Sequence, residues 1–70
     1  MTEVEVPAAY SLWKHKNGNT YEVLLVTNLN STKLEEYPIT VVYRNTINFT
    51  LWSRPLNRWY QSMTPIKENK

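Results

Sequence analysis

The 70-residue sequence contains no cysteine and no aspartate, and it has only one glycine and one histidine. Without cysteine there is no disulfide framework and no thiolate zinc site. A single glycine excludes the glycine-rich phosphate loops and the dinucleotide-binding fingerprint. One histidine without aspartate excludes a Ser-His-Asp triad and a multi-histidine metal site. The composition therefore predicts a protein that is not an enzyme and that carries no metal or other cofactor.

Length, aromatic content and charge narrow the class of protein. The chain is long enough for one domain, and its three Trp, five Tyr and one Phe are typical of a folded core. No apolar run reaches the length of a membrane span, so no membrane partner is expected. The net charge of +2 is too small to indicate nucleic acid by itself. The acidic start of the chain is unlike a signal peptide, and we expect a cytoplasmic protein.

A chain of this size can bury only a small hydrophobic core, which limits the stability of the isolated domain. It buries only about 60% of the surface that the unfolded chain exposes. Since neither a disulfide nor a metal supplements the core, the sequence predicts a homo-oligomer.

The first half of the chain has the pattern of a β-hairpin followed by a loop. Asn17 and Gly18 form a strong hairpin signal, and we expect a two-residue type I′ turn between strands at residues 11–16 and 20–28. The polar residues 29–37 interrupt the β pattern and predict a loop.

The second half predicts two longer strands, a helical turn and a short strand. The third strand is expected at residues 39–45 and the fourth at residues 47–54, where apolar and polar residues alternate. Pro55 ends the fourth strand because it has no N–H, and it suits the start of a helical turn at residues 55–60. Residues 61–66 are expected to form a short edge strand.

Together these elements predict an all-β fold, a small SH3-like antiparallel barrel with one short helical turn before the last strand. The barrel domain covers residues 10–66, residues 1–9 form an N-terminal arm or edge strand, and residues 67–70 form a solvated tail. Both faces of the second strand are apolar, so one fills the barrel and the other needs a cover from the arm or a second subunit. The predicted faces are Tyr21, Val23 and Leu25 on one side, and Leu24 and Val26 on the other.

Three blocks carry a resemblance to a known family. They are residues 13–23 (WKHKNGNTYEV), residues 41–44 (VVYR) and residues 52–56 (WSRPL). In order and spacing, across residues 10–63, they resemble a short bacterial and phage domain of unknown function with the signatures Y-x-H-Y-K-G-x-x-Y-x-V, V-V-Y-R and W-x-R-P-L. The resemblance implies a small β-barrel and adds no activity.

The third and fourth strands carry the leading candidate site. Trp52 and Arg54 are two residues apart on one strand, and Arg44 lies on the strand expected to pair with it. Aligned on one face with Asn48 and Thr50, they would form an aromatic ring flanked by two guanidinium groups. Such a set suits a nucleotide-like anion, which stacks on tryptophan and accepts paired hydrogen bonds from arginine. The alternative is structural, with Trp52 in the core and the arginines covering it.

Other candidate residues lie at the margins of this site. Arg58, on the helical turn, either lines the same mouth or is solvated surface. Lys14 and His15 belong to a small basic patch before the hairpin turn, which either contacts phosphate or is simply exposed. The remaining large aromatic residues are assigned to the core or to a subunit contact: Trp13, Trp59 and Tyr60.

The leading functional hypothesis is a phage-type, non-catalytic binding protein that captures a nucleotide-like anion at a pocket shared between subunits. Sequestration of a host signalling nucleotide, a counter-defence role, is one mechanism open to such a protein. The alternative is a protein-interaction module that inhibits a host protein through its barrel edge or aromatic surface. A third hypothesis is weak nucleic-acid binding, which predicts an affinity that falls steeply with salt.

Overall fold

A computed structural model of the chain describes residues 6–66. Its elements are β1 (Leu12–His15), β2 (Thr20–Thr27), β3 (Thr40–Asn45), β4 (Leu51–Pro55), α1 (Leu56–Ser62) and β5 (Met63–Pro65). The strands form one antiparallel sheet in the order β4-β3-β2-β1-β5, so β4 and β5 are its two edges.

This arrangement confirms the predicted all-β fold with one short helix before the last strand. The helix α1 links the two edge strands and contacts β3, β4 and β5 along one face of the sheet. Closure of the sheet into an SH3-like barrel stays a prediction. In the described part of the chain, no helix has both the length and the apolar character needed to span a bilayer.

The hairpin between β1 and β2 forms where it was predicted, but its loop is longer. His15 donates its N–H to the Asn19 carbonyl at 2.8 Å, and Gly18 donates its N–H to the His15 carbonyl at 2.8 Å, so three residues form the loop. Gly18 has a φ of 98°, and a three-residue loop with glycine at such a position is typical of a type I turn followed by a bulge. The predicted two-residue type I′ turn is wrong, because that turn requires a positive φ at Asn17, which Asn17 does not have.

A bulge in β2 changes which side chains face the core. The pairing of β2 with β3 shifts by one residue between Val23 and Leu25, and Val26 then lies opposite Val41. Val26 therefore continues the buried face, while Leu25 is exposed on the other side. The predicted grouping of Leu25 with Tyr21 and Val23 is wrong for this reason.

Aromatic rings form most of the core. Trp59 of α1 is fully buried, and its ring meets Trp13 edge-on at 5.4 Å and Tyr43 at 4.9 Å between centroids. Tyr43 in turn contacts Tyr21 at 5.1 Å. Such T-shaped pairs each contribute about 0.5–1.5 kcal/mol beyond the burial of their area. Trp13 and Trp59 are therefore confirmed as core residues, whereas Tyr60 is half exposed and meets the Trp13 ring edge-on at 5.8 Å between centroids.

Only part of the predicted arm, and none of the predicted tail, falls within the described residues. Residues 1–5 and 67–70 are outside the described residues. Residues 6–9 form no strand, although Pro7 is buried and the Ala8 carbonyl accepts the Ser11 N–H at 3.2 Å. The described part of the arm is therefore irregular chain, and the rest of the predicted arm or edge strand lies outside the described residues.

Replacing Trp59 with alanine is expected to lower the free energy of unfolding by about 3–5 kcal/mol, because its ring fills the centre of the core. Trp59→Phe should lose less, because a phenyl ring keeps part of the packing and the buried indole N–H has no hydrogen-bond partner within residues 6–66. Urea unfolding followed by circular dichroism measures both. The control is Arg58→Ala on the exposed side of α1, expected to stay within about 0.5 kcal/mol of the wild type. Wild-type stability in Trp59→Ala would contradict this account of the core.

Candidate functional site

The register between β3 and β4 places the two arginines of the predicted site on opposite faces of the sheet. Tyr43 lies directly opposite Trp52, and Arg44 lies directly opposite Leu51. Residues opposite each other in an antiparallel pair project to the same face. Trp52, and Arg54 two residues further on, therefore share the core face with Tyr43, whereas Arg44 lies on the other face, which we term the open face. The predicted alignment of Arg44 with Trp52 and Arg54 is wrong.

The length of the loop between β3 and β4 is the physical reason. Residues 46–49 form this loop, and the Asn45 N–H donates to the Thr50 carbonyl at 2.9 Å to close it. A four-residue loop pairs Asn45 with Thr50, whereas a loop of three or five residues would have paired Arg44 with Trp52. The strand predicted at residues 47–54 accordingly begins only at Leu51.

On the open face, Arg44 is held between two neighbours. Its Nη2 donates to Glu22 Oε1 at 2.6 Å, and its guanidinium carbon lies 5.4 Å from the centroid of the Phe49 ring. The two charged side chains are 39% and 23% exposed, so the ion pair is partly screened by solvent. A cation–π contact of this kind contributes about 0.5–1 kcal/mol. The charge of Arg44 is therefore engaged within the chain, by an acidic residue that the sequence pattern did not indicate.

Phe49 occupies the last position of the loop in a left-handed conformation, with a φ of 62°. Its N–H donates to the Asn45 carbonyl at 2.9 Å. The buried side chain of Asn45 accepts the N–H groups of Ile47 at 2.7 Å and Asn48 at 3.2 Å, which fixes the loop from inside. A left-handed conformation costs a residue with a side chain about 1–2 kcal/mol. The loop is thus tightly specified even though one of its residues is strained.

Large apolar side chains around this loop are exposed, and together with one arginine they form what we term the hairpin surface: Arg44, Ile47, Phe49 and Leu51. Ile47 is 82% exposed, Phe49 63% and Leu51 65%. The sequence pattern grouped Ile47, Phe49 and Leu51 as one face of a strand, but it did not show that they are exposed at a loop. Aromatic residues and arginine are enriched at protein interfaces, and clustered exposed apolar residues are characteristic of binding surfaces.

The edge strand β4 carries a second feature on the core face. Trp52 Nε1–H donates to Thr50 Oγ1 at 2.8 Å, and the Thr50 hydroxyl donates to Asn48 Oδ1 at 2.7 Å, so these three predicted site residues do come together. The Trp52 ring is 53% exposed, which places it outside the core. Arg54 donates from Nε to the Tyr43 hydroxyl at 3.4 Å, a long hydrogen bond. We term Trp52 and Arg54 the edge pair.

The remaining predicted residues lie apart from the edge pair. Arg58 is exposed on α1, and no hydrogen bond or ring contact among residues 6–66 joins it to Trp52 or Arg54. Lys14 and His15 are neighbours on a strand and project to opposite faces of the sheet. Lys14 is exposed, whereas His15 is half-buried and its Nδ1 accepts the Asn17 N–H at 3.0 Å. The predicted basic patch is therefore divided by the sheet.

Comparison with known protein families identifies the family of this chain. A family model described as a protein of unknown function, DUF1653, matches residues 11–69. The chain belongs to the DUF1653 family. No curated protein and no solved structure matches it. The predicted resemblance to a domain of unknown function is confirmed, and the hairpin surface and the edge pair both lie within the matched part of this DUF1653 protein.

Phe49 allows a direct test of the loop conformation. At a left-handed position glycine is favoured over alanine, so Phe49→Gly is expected to be about 1 kcal/mol more stable than Phe49→Ala. At Leu51, inside a strand, the order should reverse, because glycine loses more chain entropy there. Urea unfolding of the four variants gives both differences. The same order at the two positions would contradict the left-handed conformation of Phe49.

Proposed function

We propose that this DUF1653 protein is a non-catalytic protein-interaction module that binds a partner protein through the hairpin surface. The observation that carries the proposal is Phe49, an exposed aromatic ring held in a strained backbone conformation. Both the strain and the exposure work against the stability of the isolated chain, so we infer that they are retained for binding. In the hypothesis drawn from the sequence, such a module acts by inhibiting a host protein.

The loop that carries Phe49 is preorganised for this role. The Asn45 side chain holds two loop N–H groups, and Arg44 lies against the Phe49 ring. An aromatic ring that is already ordered loses little conformational entropy when a partner covers it. A few aromatic and arginine side chains commonly carry most of the binding energy of an interface. Phe49 is therefore the proposed anchor, with Leu51 and Ile47 as its apolar surround.

The electrostatics of the hairpin surface also suit a protein partner. Glu22 engages the charge of Arg44 within the chain, so the surface presents apolar groups beside a neutralised ion pair. A partner with an apolar pocket for one aromatic ring would match this surface without leaving an unpaired charge buried.

Site-specific photo-crosslinking tests this proposal. With p-benzoylphenylalanine in place of Phe49, the protein expressed in its source cells is expected to give one discrete crosslinked partner. Adding Leu51→Lys should remove that product, because a charge in the apolar surround must be desolvated on binding. The same probe at Gln61, exposed on α1, is the control. An identical product from Gln61, or a product that survives Leu51→Lys, would count against the hairpin surface.

The edge pair supports a second candidate, capture of a nucleotide-like anion. The half-exposed Trp52 ring is tethered by its bond to Thr50, and Arg54 lies two residues away on the same face. A base stacked on tryptophan gains about 1–3 kcal/mol, and a guanidinium group suits a phosphate.

Calorimetry with a panel of cyclic and linear nucleotides distinguishes this second candidate. Binding is expected to be lost in Trp52→Ala and Arg54→Met, and to survive in Arg44→Met because Arg44 lies on the open face. The absence of heat with every nucleotide, or an equal loss in Arg44→Met, would exclude nucleotide capture at the edge pair.

A further inference from the structure

The hydrogen bonds that flank the pairing of β3 with β4 determine which backbone groups of β4 are engaged. At one end the Asn45 N–H donates to the Thr50 carbonyl at 2.9 Å, and at the other the Leu56 N–H donates to the Ile39 carbonyl at 2.7 Å. Antiparallel partners alternate between bonded and non-bonded pairs along the strand. Every second residue of β4 between these two bonds therefore directs its N–H and C=O towards β3, and the intervening residues direct theirs away from the sheet.

This alternation leaves a short unpaired backbone edge. Trp52 and Arg54 occupy the bonded positions, so the residues whose backbone points outwards are Leu51, Ser53 and Pro55. Leu51 and Ser53 each present an N–H and a C=O, whereas Pro55 presents only a C=O. Since β4 is an edge strand, these groups have no sheet partner within residues 6–66. An unpaired edge of this kind is a template for a further strand.

We propose that a second copy of this chain binds at this edge, through an antiparallel β4–β4 pair centred on Ser53. In that register Ser53 and the partner's Ser53 exchange two N–H···O=C bonds. Each Leu51 N–H donates to the carbonyl of the partner's Pro55. Because proline has no N–H, the Leu51 carbonyl receives no hydrogen bond from the partner's Pro55. This carbonyl lies at the end of the paired segment, where water can donate to it instead.

The side chains of β4 are self-complementary in the same register. Trp52 lies opposite the partner's Arg54, and the two-fold axis generates this pair twice. These are non-bonded positions of the new ladder, where side chains approach most closely, so the guanidinium group reaches the indole ring. The long bond from Arg54 to Tyr43 holds that guanidinium only weakly. Ser53 meets its own copy at the axis, where its small side chain avoids a clash.

The other edge of the sheet does not offer the same match. The edge strand β5 has three residues and ends at Pro65, which leaves little backbone to pair. Only seven apolar residues are buried in the described core, and association with a second copy would add to the stability of so small a core. This self-association goes beyond the proposed partner-binding function, because it uses the backbone of β4 and the edge pair rather than Phe49.

Disulfide trapping tests the register. The chain has no cysteine, so Ser53→Cys introduces a single thiol at the two-fold axis. The Cα atoms of a hydrogen-bonded pair lie about 5.5 Å apart, which is within reach of a disulfide. Oxidation with copper phenanthroline is expected to give a covalent dimer about tenfold faster than in Thr64→Cys, a control on exposed β5. Equal rates in the two variants would overturn the proposed register.

Sedimentation equilibrium tests the association itself. The wild-type mass is expected to rise with concentration towards twice the 8.3 kDa of the chain. Ser53→Pro removes the central outward N–H and leaves the pairing with β3 intact, so it should raise the dimer dissociation constant about tenfold or more. Trp52→Ala leaves the backbone unchanged and should also weaken the dimer, which keeps the test valid if the proline variant unfolds by circular dichroism. A wild type that stays monomeric at millimolar concentration, or a dimer that both variants leave unchanged, would overturn the proposal.

Discussion

The buried ring of Trp59 holds the two layers of this protein together. It is the residue through which α1 reaches the core, and it contacts Trp13 on β1 and Tyr43 on β3, the strands on either side of β2. The helix α1 also joins β4 to β5 along the chain. The packing of this one ring therefore helps to position both edge strands of the sheet. In a chain with so few buried apolar residues, no second cluster within residues 6–66 takes over that role.

The small size of α1 has a direct consequence for the surface. Seven helical residues pack against one sheet face without covering Trp52 of β4, which remains half exposed beside the core. Further exposed apolar side chains lie on the open face, among them Leu25 and Leu51, and in the loop at residues 46–49, where Ile47 and Phe49 are exposed. The protein therefore presents two chemically different surfaces: the hairpin surface, built around a strained phenylalanine, and the edge of β4, built from backbone groups and the edge pair. The two proposals divide these surfaces between them.

The proposed self-association and the proposed partner binding are geometrically compatible. Residues opposite each other in an antiparallel pair share a face, so a β4–β4 pair centred on Ser53 continues the sheet with both open faces on the same side. The two hairpin surfaces then lie on one face of the dimer, and a partner with two matching sites would gain from their linkage. Nucleotide capture, in contrast, would compete with the dimer for Trp52 and Arg54.

The sequence by itself determined the number, order and type of the elements, because each depends on local chemistry: the Asn17–Gly18 turn, the polar stretch after β2 and the proline before α1. Trp13 and Trp59 could also be predicted as core residues. Only the tertiary structure decided which side chains share a face. Side chains alternate with a period of two, so the bulge in β2 and the even length of the loop after β3 each move a set of residues to the opposite face. Arg44 therefore lies with Glu22 and Phe49 rather than with Trp52, and no local pattern in the sequence records that choice.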